Sequence, residues 1–154
     1  MKTFILIILL AVIATPASIA QQRSISGHAT YISTGAESIE LVEGRTLGKT
    51  SSSAVLFEDD PQSPLHLMSQ DCSGTNLIGS NGTLIQSVGS CFAVDSDGDI
   101  FWISFVNPPE GGTWRYTAGT GKFAGIEGGG TSEVIAIGHD GQLTIRYEGQ
   151  IIMR

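Results

Sequence analysis

Positive charge is scarce in this sequence. Eight Lys and Arg stand against fifteen Asp and Glu, a formal net charge of −7 over 154 residues. Nucleic acids and anionic membranes are gripped through basic surfaces, so neither is expected as a partner. Cysteine is nearly missing, with Cys72 and Cys91 the only two. They lack Cys-x-x-Cys spacing and a basic neighbour to lower a thiol pKa, which argues against a redox pair. Histidine is limited to His28, His66 and His139. Their spacing enforces no convergence, whereas a zinc site needs three or four ligands that meet. A nucleophilic hydrolase lacks its signals too, since there is no G-x-S-x-G elbow and no Cys/His pairing. Gly121-Lys122 looks like the end of a phosphate loop, but Phe123 follows where Ser or Thr is required. A setting between two strands also lacks the helix N-terminus that binds phosphate. No cofactor is implied by any of these patterns.

Long apolar sequence occurs once, at the start. Phe4–Ile13 is uninterrupted behind Lys2, Pro16 breaks the run, and Ser18-Ile19-Ala20 offers small residues for cleavage. This is the pattern of a secretory leader over residues 1–20, too short for a stable membrane span; a buried N-terminal helix is the alternative. The mature chain then begins at Gln21 and forms one domain over residues 21–154. No cysteine follows the cut, so no lipid anchor on a new N-terminal cysteine is expected. A secreted or periplasmic chain meets oxidising conditions, and Cys72 and Cys91 are expected to pair. The bridge closes a loop containing Gly74, Gly79, Gly82 and Gly89. Closing a loop of that flexibility stabilises a fold by about 3 kcal/mol.

A sustained helical period is absent after Ala20, and alternating segments separated by turn residues take its place. Ser24–Ile32 puts Ile25, Ala29 and Tyr31 on one face and His28 and Thr30 on the other. Expected strands follow at Ile39–Leu47, Ala54–Glu58 (Val55 and Phe57 sharing a face), Leu65–Gln70 and Thr83–Ser87, with a surface loop at Asp59–Pro64. Cys91–Asp95, Asp99–Val106, Gly112–Ala118, Thr131–Ile137 and Gln142–Ile152 are the more regular half. In the last, Leu143, Ile145, Tyr147 and Ile151 face one way and Thr144, Arg146, Glu148 and Gln150 the other. Many short strands with hardly any helix mean a sandwich or a barrel.

Glycine is the residue in abundance, and it concentrates between residues 118 and 131, AGTGKFAGIEGGGT. The chain can turn sharply there more than once. One tight turn over Thr120–Ile126 sets Phe123 and Ile126, three apart, on the same side as an apolar plug. Gly119-Thr120-Gly121-Lys122-Phe123-Ala124-Gly125, followed by a glycine-led strand, resembles the GTG-[KR]-[FY]-x-G segment of the allene oxide cyclase-like barrels. That family includes the plant dirigent proteins and many small secreted bacterial proteins. The resemblance implies a soluble eight-stranded antiparallel barrel with an apolar interior, and it carries no catalytic residue onto this chain. An outer-membrane barrel would need an apolar outward face and aromatic girdles. Outward Arg146, Glu148 and Gln150, with aromatics at 7% of residues, oppose it.

Ile100–Val106 is apolar on both faces, so one face requires cover outside the barrel. The chain's own N-terminal or loop residues can supply it, or a second copy, which would make this strand a homo-oligomer contact. Asp95, Asp97 and Asp99 alternate as calcium ligands do, but Ile100 and Val106 occupy the glycine and glutamate positions of an EF-hand loop. A plain Asp-Gly hairpin turn and a weak calcium site both stay open. Asn81-Gly82-Thr83 is both an Asn-Gly turn and a glycosylation sequon. Polar candidates for a pocket are His28, Glu40, Arg115, Tyr116, Glu133 and Tyr147, each on an expected strand whose register decides which face it takes.

The functional expectation is a secreted binding or structural module holding a small apolar ligand. An isomerase or cyclase acting in the cavity is one alternative, and a calcium-stabilised surface or adhesion protein is another.

Overall fold

The computed structural model describes residues 20–154, so the expected leader falls outside the described residues except for Ala20. Eight antiparallel strands close into a barrel in sequence order. They are β1 (Gln21–Glu40), β2 (Thr46–Glu58), β3 (Ser69–Ile78), β4 (Leu84–Val94), β5 (Ile100–Asn107), β6 (Gly112–Gly119), β7 (Glu127–Ile137) and β8 (Leu143–Met153). The long β1 makes the closure. Its first half, Gln21 to Tyr31, pairs with β8, and its second half runs on against β2 from Gly27↔Glu58 to Glu40↔Thr46. Beyond Tyr31, β1 pairs with β2 alone, so closure holds over only part of its length.

Several expected boundaries move. Ile39–Leu47 is not a strand of its own, because it spans the end of β1, the tight turn Val42–Gly44 and the start of β2. Glu43 and Gly44, at φ 61° and 70°, reverse the chain there. Leu65–Gln70 divides likewise: Leu67 has φ 64°, and β3 begins only at Ser69. Thr83–Ser87 and Cys91–Asp95, expected as two strands, are the two ends of one, β4.

Alternation decides what fills the barrel. Ile25, Ala29 and Tyr31 of β1 and Ile145, Tyr147 and Ile151 of β8 point inward, as their spacing indicates. On β2 the inward face is Ala54, Leu56 and Glu58, while Val55 and Phe57 look outward at 37% and 39% exposure. The apolar pair is therefore the outer one, and Phe57 stacks its ring on His28, centroids 5.3 Å apart. On β5, Phe101 and Ile103 belong to the core and Trp102 lies outside, paired across the ladder with Phe92 of β4.

One end of the barrel is plugged. The loop Asp59–Met68 tucks inward, held by Leu56 N–H on Met68 O at 3.0 Å and Leu67 N–H on Leu56 O at 2.8 Å, and it buries Leu65 and Met68. Beside it the turn Gly121–Phe123 buries Phe123 completely and Ile126 almost so. Phe101 meets the Phe123 ring edge to face at 5.4 Å, the separation such pairs favour. Gly121 sits at φ 51°, which favours glycine, and a Cβ there would lie 1.7 Å from Asp99 Oδ1 and displace that carboxylate. Cys72 and Cys91 form a disulfide directly across the β3–β4 ladder, on the inner face next to Gln70↔Ala93.

Candidate functional site

Three adjacent positions on β2, β1 and β8 build the polar centre of the interior. Gly27 of β1 pairs with Glu58 on one side and Tyr147 on the other. Having no side chain, Gly27 lets the Tyr147 hydroxyl reach over it and donate to Glu58 Oε1 at 2.7 Å. A Cβ at position 27 would lie 2.3 Å from Phe57 O and 2.7 Å from Tyr147 Oη. Glu58 is 6% exposed and Tyr147 7%. Burial pushes the Glu58 carboxyl above its ordinary range, with the Asp59 charge adding to the effect. Hydrogen bonds from Tyr147 and Ser63 and the nearby His66 pull the other way without cancelling it. Burial and the Glu58 charge hold the Tyr147 phenol firmly protonated.

On the Tyr147 side of this pair lies a cavity of about 50 Å³. Its apolar wall is Ile25, Leu56, Leu65, Phe101, Ile103 and Ile145, and its polar wall is Tyr31, Gln70, Trp114, Tyr116 and Tyr147. Tyr31 donates to Gln70 Oε1 at 2.5 Å, and Gln70 is 3% exposed. Tyr116 stacks edge to face with both Phe101 and Trp114, at 5.2 and 5.4 Å. Burial raises the Tyr31 and Tyr116 phenols as well, so the cavity presents neutral hydroxyls. Drug-sized ligands occupy about 300 Å³ or more. A guest in this barrel is therefore small, or enters by displacing side chains. From the other side, a polar cleft of about 280 Å³ backs onto Glu58, lined also by Arg23, Ser26, Asp59, Asp60 and Ser63. Arg23 pairs with Asp60 at 2.8 Å and Arg146 with Asp59 at 2.9 Å, so its charges are largely matched.

Of the pocket candidates named from sequence, Tyr147 and Tyr116 line the cavity. His28 is exposed and stacked on Phe57 outside the barrel. Glu40 is exposed at the end of β1, and Arg115 is exposed with its Nε donating to Ser104 Oγ at 3.3 Å. Glu133 is exposed opposite Arg146 on β8. None of these four reaches the interior pair. Sequence reasoning missed Glu58, Gln70 and Gly27. Their signal was phase: Glu58 continues the inward series Ala54, Leu56, and Gly27 lies between inward Ile25 and Ala29.

Of Asp95, Asp97 and Asp99, the first two face a cation supplied by the chain itself. Lys122 Nζ lies 2.5 Å from Asp95 Oδ2 and 3.4 Å from Asp97 Oδ2. Asp95 Oδ1 accepts the N–H groups of Asp97 and Asp99, and Asp99 Oδ2 accepts that of Lys122. The Lys122 contact chiefly lowers the Asp95 pKa. Among the described residues no group of three or more His, Cys, Asp or Glu is arranged to hold a metal ion. The same contacts explain the Gly119–Gly125 segment, which locks the β6–β7 link onto the β4–β5 turn.

No protein-family model matches the sequence, and no curated protein does. Solved structures do resemble the fold. The pterocarpan synthase dirigent protein GePTS1 superposes with a TM-score of 0.56 at 12% identity, over 94% of this chain and 98% of its own. The pterocarpan synthase dirigent protein PsPTS1 gives 0.56 at 14% identity, over 86% of this chain and 96% of its own. At these identities the likeness is one of fold: a dirigent-like eight-stranded barrel.

Proposed function

We propose that this barrel is an exported binding module that holds a small, mostly apolar molecule bearing one hydrogen-bonding group. One observation carries the reading: Tyr147, in the wall of an apolar, tyrosine-lined cavity, donates to a buried carboxyl, Glu58, that lies behind it on the polar cleft. A buried carboxyl is a cost that packing alone does not require, and such groups concentrate where ligands are handled. The guest's polar group would meet Tyr147 or the Tyr31–Gln70 pair, and its apolar body would lie against Phe101, Ile103 and Ile145. The dirigent-like fold and the resemblance of the Gly119–Gly125 segment to the allene oxide cyclase-like barrels support an interior site. The Cys72–Cys91 bridge supports export, since disulfides persist in oxidising compartments.

A second reading, turnover of the guest by acid–base chemistry, is favoured by Glu58 alone. A buried carboxyl whose pKa is raised by desolvation can donate a proton, and the polar cleft behind it can return one from water. Incubation with a mixture of small alicyclic ketones and alcohols, followed by mass analysis of bound and free compounds, separates the two. Saturable uptake with the guest recovered unchanged supports binding. New product that disappears in Glu58→Gln supports turnover, and no uptake at all removes both.

A further inference from the structure

The turn between β3 and β4 carries Asn81-Gly82-Thr83, with all three residues exposed. Thr83 N–H donates to Asn81 Oδ1 at 3.1 Å, and the Thr83 hydroxyl donates to the same oxygen at 2.6 Å. A main-chain N–H only donates, so the atom it meets is the carboxamide oxygen, and the orientation of the amide is settled. Nδ2 is therefore turned away from these contacts and has no hydrogen-bond partner among the described residues. The nitrogen that a glycosyl transfer would use is free and in solvent.

A separate observation concerns what surrounds that turn. This end of the barrel, opposite the plug, leaves Ile39 64%, Val42 82% and Ile85 40% exposed. A Cβ on Gly44 would lie 3.5 Å from Ser80 Cβ, and one on Gly79 would lie 3.6 Å from Ile85 Cδ1. The β1–β2 and β3–β4 turns thus touch, and Asn81 stands beside the exposed aliphatic rim.

We propose that Asn81 is an N-glycosylation site and that its glycan shields this rim. In the transfer, Nδ2 attacks C1 of a saccharide carried on a polyprenyl diphosphate. The N–C bond forms, the C–O bond to the diphosphate breaks with its electron pair leaving on the diphosphate, and the amide gives up one proton. Donor and transferase belong to the lumen of a secretory pathway, and the Cys72–Cys91 bridge is what a chain in an oxidising lumen carries. A bulky hydrophilic group at a surface turn suits the tight loop and covers aliphatic surface that the chain leaves bare.

The test uses the full chain expressed in cultured cells that have a secretory pathway, as wild type, Asn81→Gln, Thr83→Ala and Thr83→Ser. Intact mass should show added saccharide on wild type and Thr83→Ser, and the bare mass for the other two. Peptide N-glycosidase should remove the addition and leave an aspartate in place of Asn81. Retention on a phenyl column should lengthen after that removal. A wild-type chain of bare mass, whether secreted or retained, overturns the site, and unchanged retention after removal overturns the shield.

Discussion

Gly27 and Glu58 set the chemistry of the interior, and each has a consequence that a single substitution reads. Gly27→Ala forces a methyl group against Phe57 O and the Tyr147 hydroxyl, and the first is main chain that cannot swing aside. Denaturant unfolding should show a loss of about 2 kcal/mol or more. A neutral Gly27→Ala would mean that Tyr147 does not cross this position. Glu58 has the opposite signature from a paired surface carboxylate. Its pKa is raised from the ordinary 4.5 by folding, so the folded state holds the proton more tightly than the unfolded one. Its contribution is fully favourable below 4.5 and declines as pH rises through the folded value. Asp59 and Asp95 act in a lower window, because their depressed pKa values contribute stability that is lost only as pH falls below the ordinary 3.8. Melting midpoints measured from pH ~5 upward should decline in wild type and decline less in Glu58→Gln. Parallel curves would contradict a buried, proton-holding Glu58. Tyr147 was identifiable from sequence because β8 alternates without interruption. Glu58 was not, because the outer Phe57 and Val55 look like the buried face until Phe57 is seen stacked on His28.

At the scale of elements, the β4–β5 turn and the β6–β7 link behave as one unit. Phe123 is fully buried against Phe101, so Phe123→Asp deletes a core ring and buries a charge, with an expected loss of about 3 kcal/mol or more. Lys122→Ala has its own pattern. It leaves the Asp95 side chain, 6% exposed, without its cation. The variant should be less stable than wild type at neutral pH, with the gap closing as Asp95 protonates in acid. A gap independent of pH would detach Lys122 from Asp95. The glycine segment made the plug legible, since Phe123 and Ile126 lie three apart in a turn too short for a helix. The ion pair was not legible, because Lys122 and Asp95 are far apart in the chain and meet only once two links at the plugged end are brought together.

On the scale of the whole molecule, closure depends on β1 pairing with both β2 and β8, and the disulfide ties β3 to β4 on the inner face. The bridge spans a separation of 19 residues. Replacing both Cys72 and Cys91 by Ser should cost about 3 kcal/mol in denaturant unfolding while leaving the strand signature in circular dichroism. An unchanged midpoint would show that the barrel closes equally well without it. The all-β class was readable from turn spacing, but that spacing gave ten segments where eight strands form, and the number eight and the antiparallel class came from what the Gly119–Gly125 resemblance implies. The barrel was expected from that resemblance, but the way β1 closes it was not legible, because nothing local tells that Gln21–Tyr31 pairs with β8 and Gly27–Glu40 with β2.

As proposed, the interior takes its guest through Tyr147, held in place by Glu58. Trp114 lines the cavity and Trp102 lies outside it, so a Trp102→Phe background makes Trp114 the sole tryptophan reporter. Titrating that protein with small alicyclic ketones and alcohols should give a saturable change in Trp114 fluorescence. The change should weaken at least tenfold when Glu58→Gln or Tyr147→Phe is added, with the melting transition still cooperative. Saturation at the same concentration in all three proteins, or no saturation in any, would contradict the assignment of the interior as the binding site.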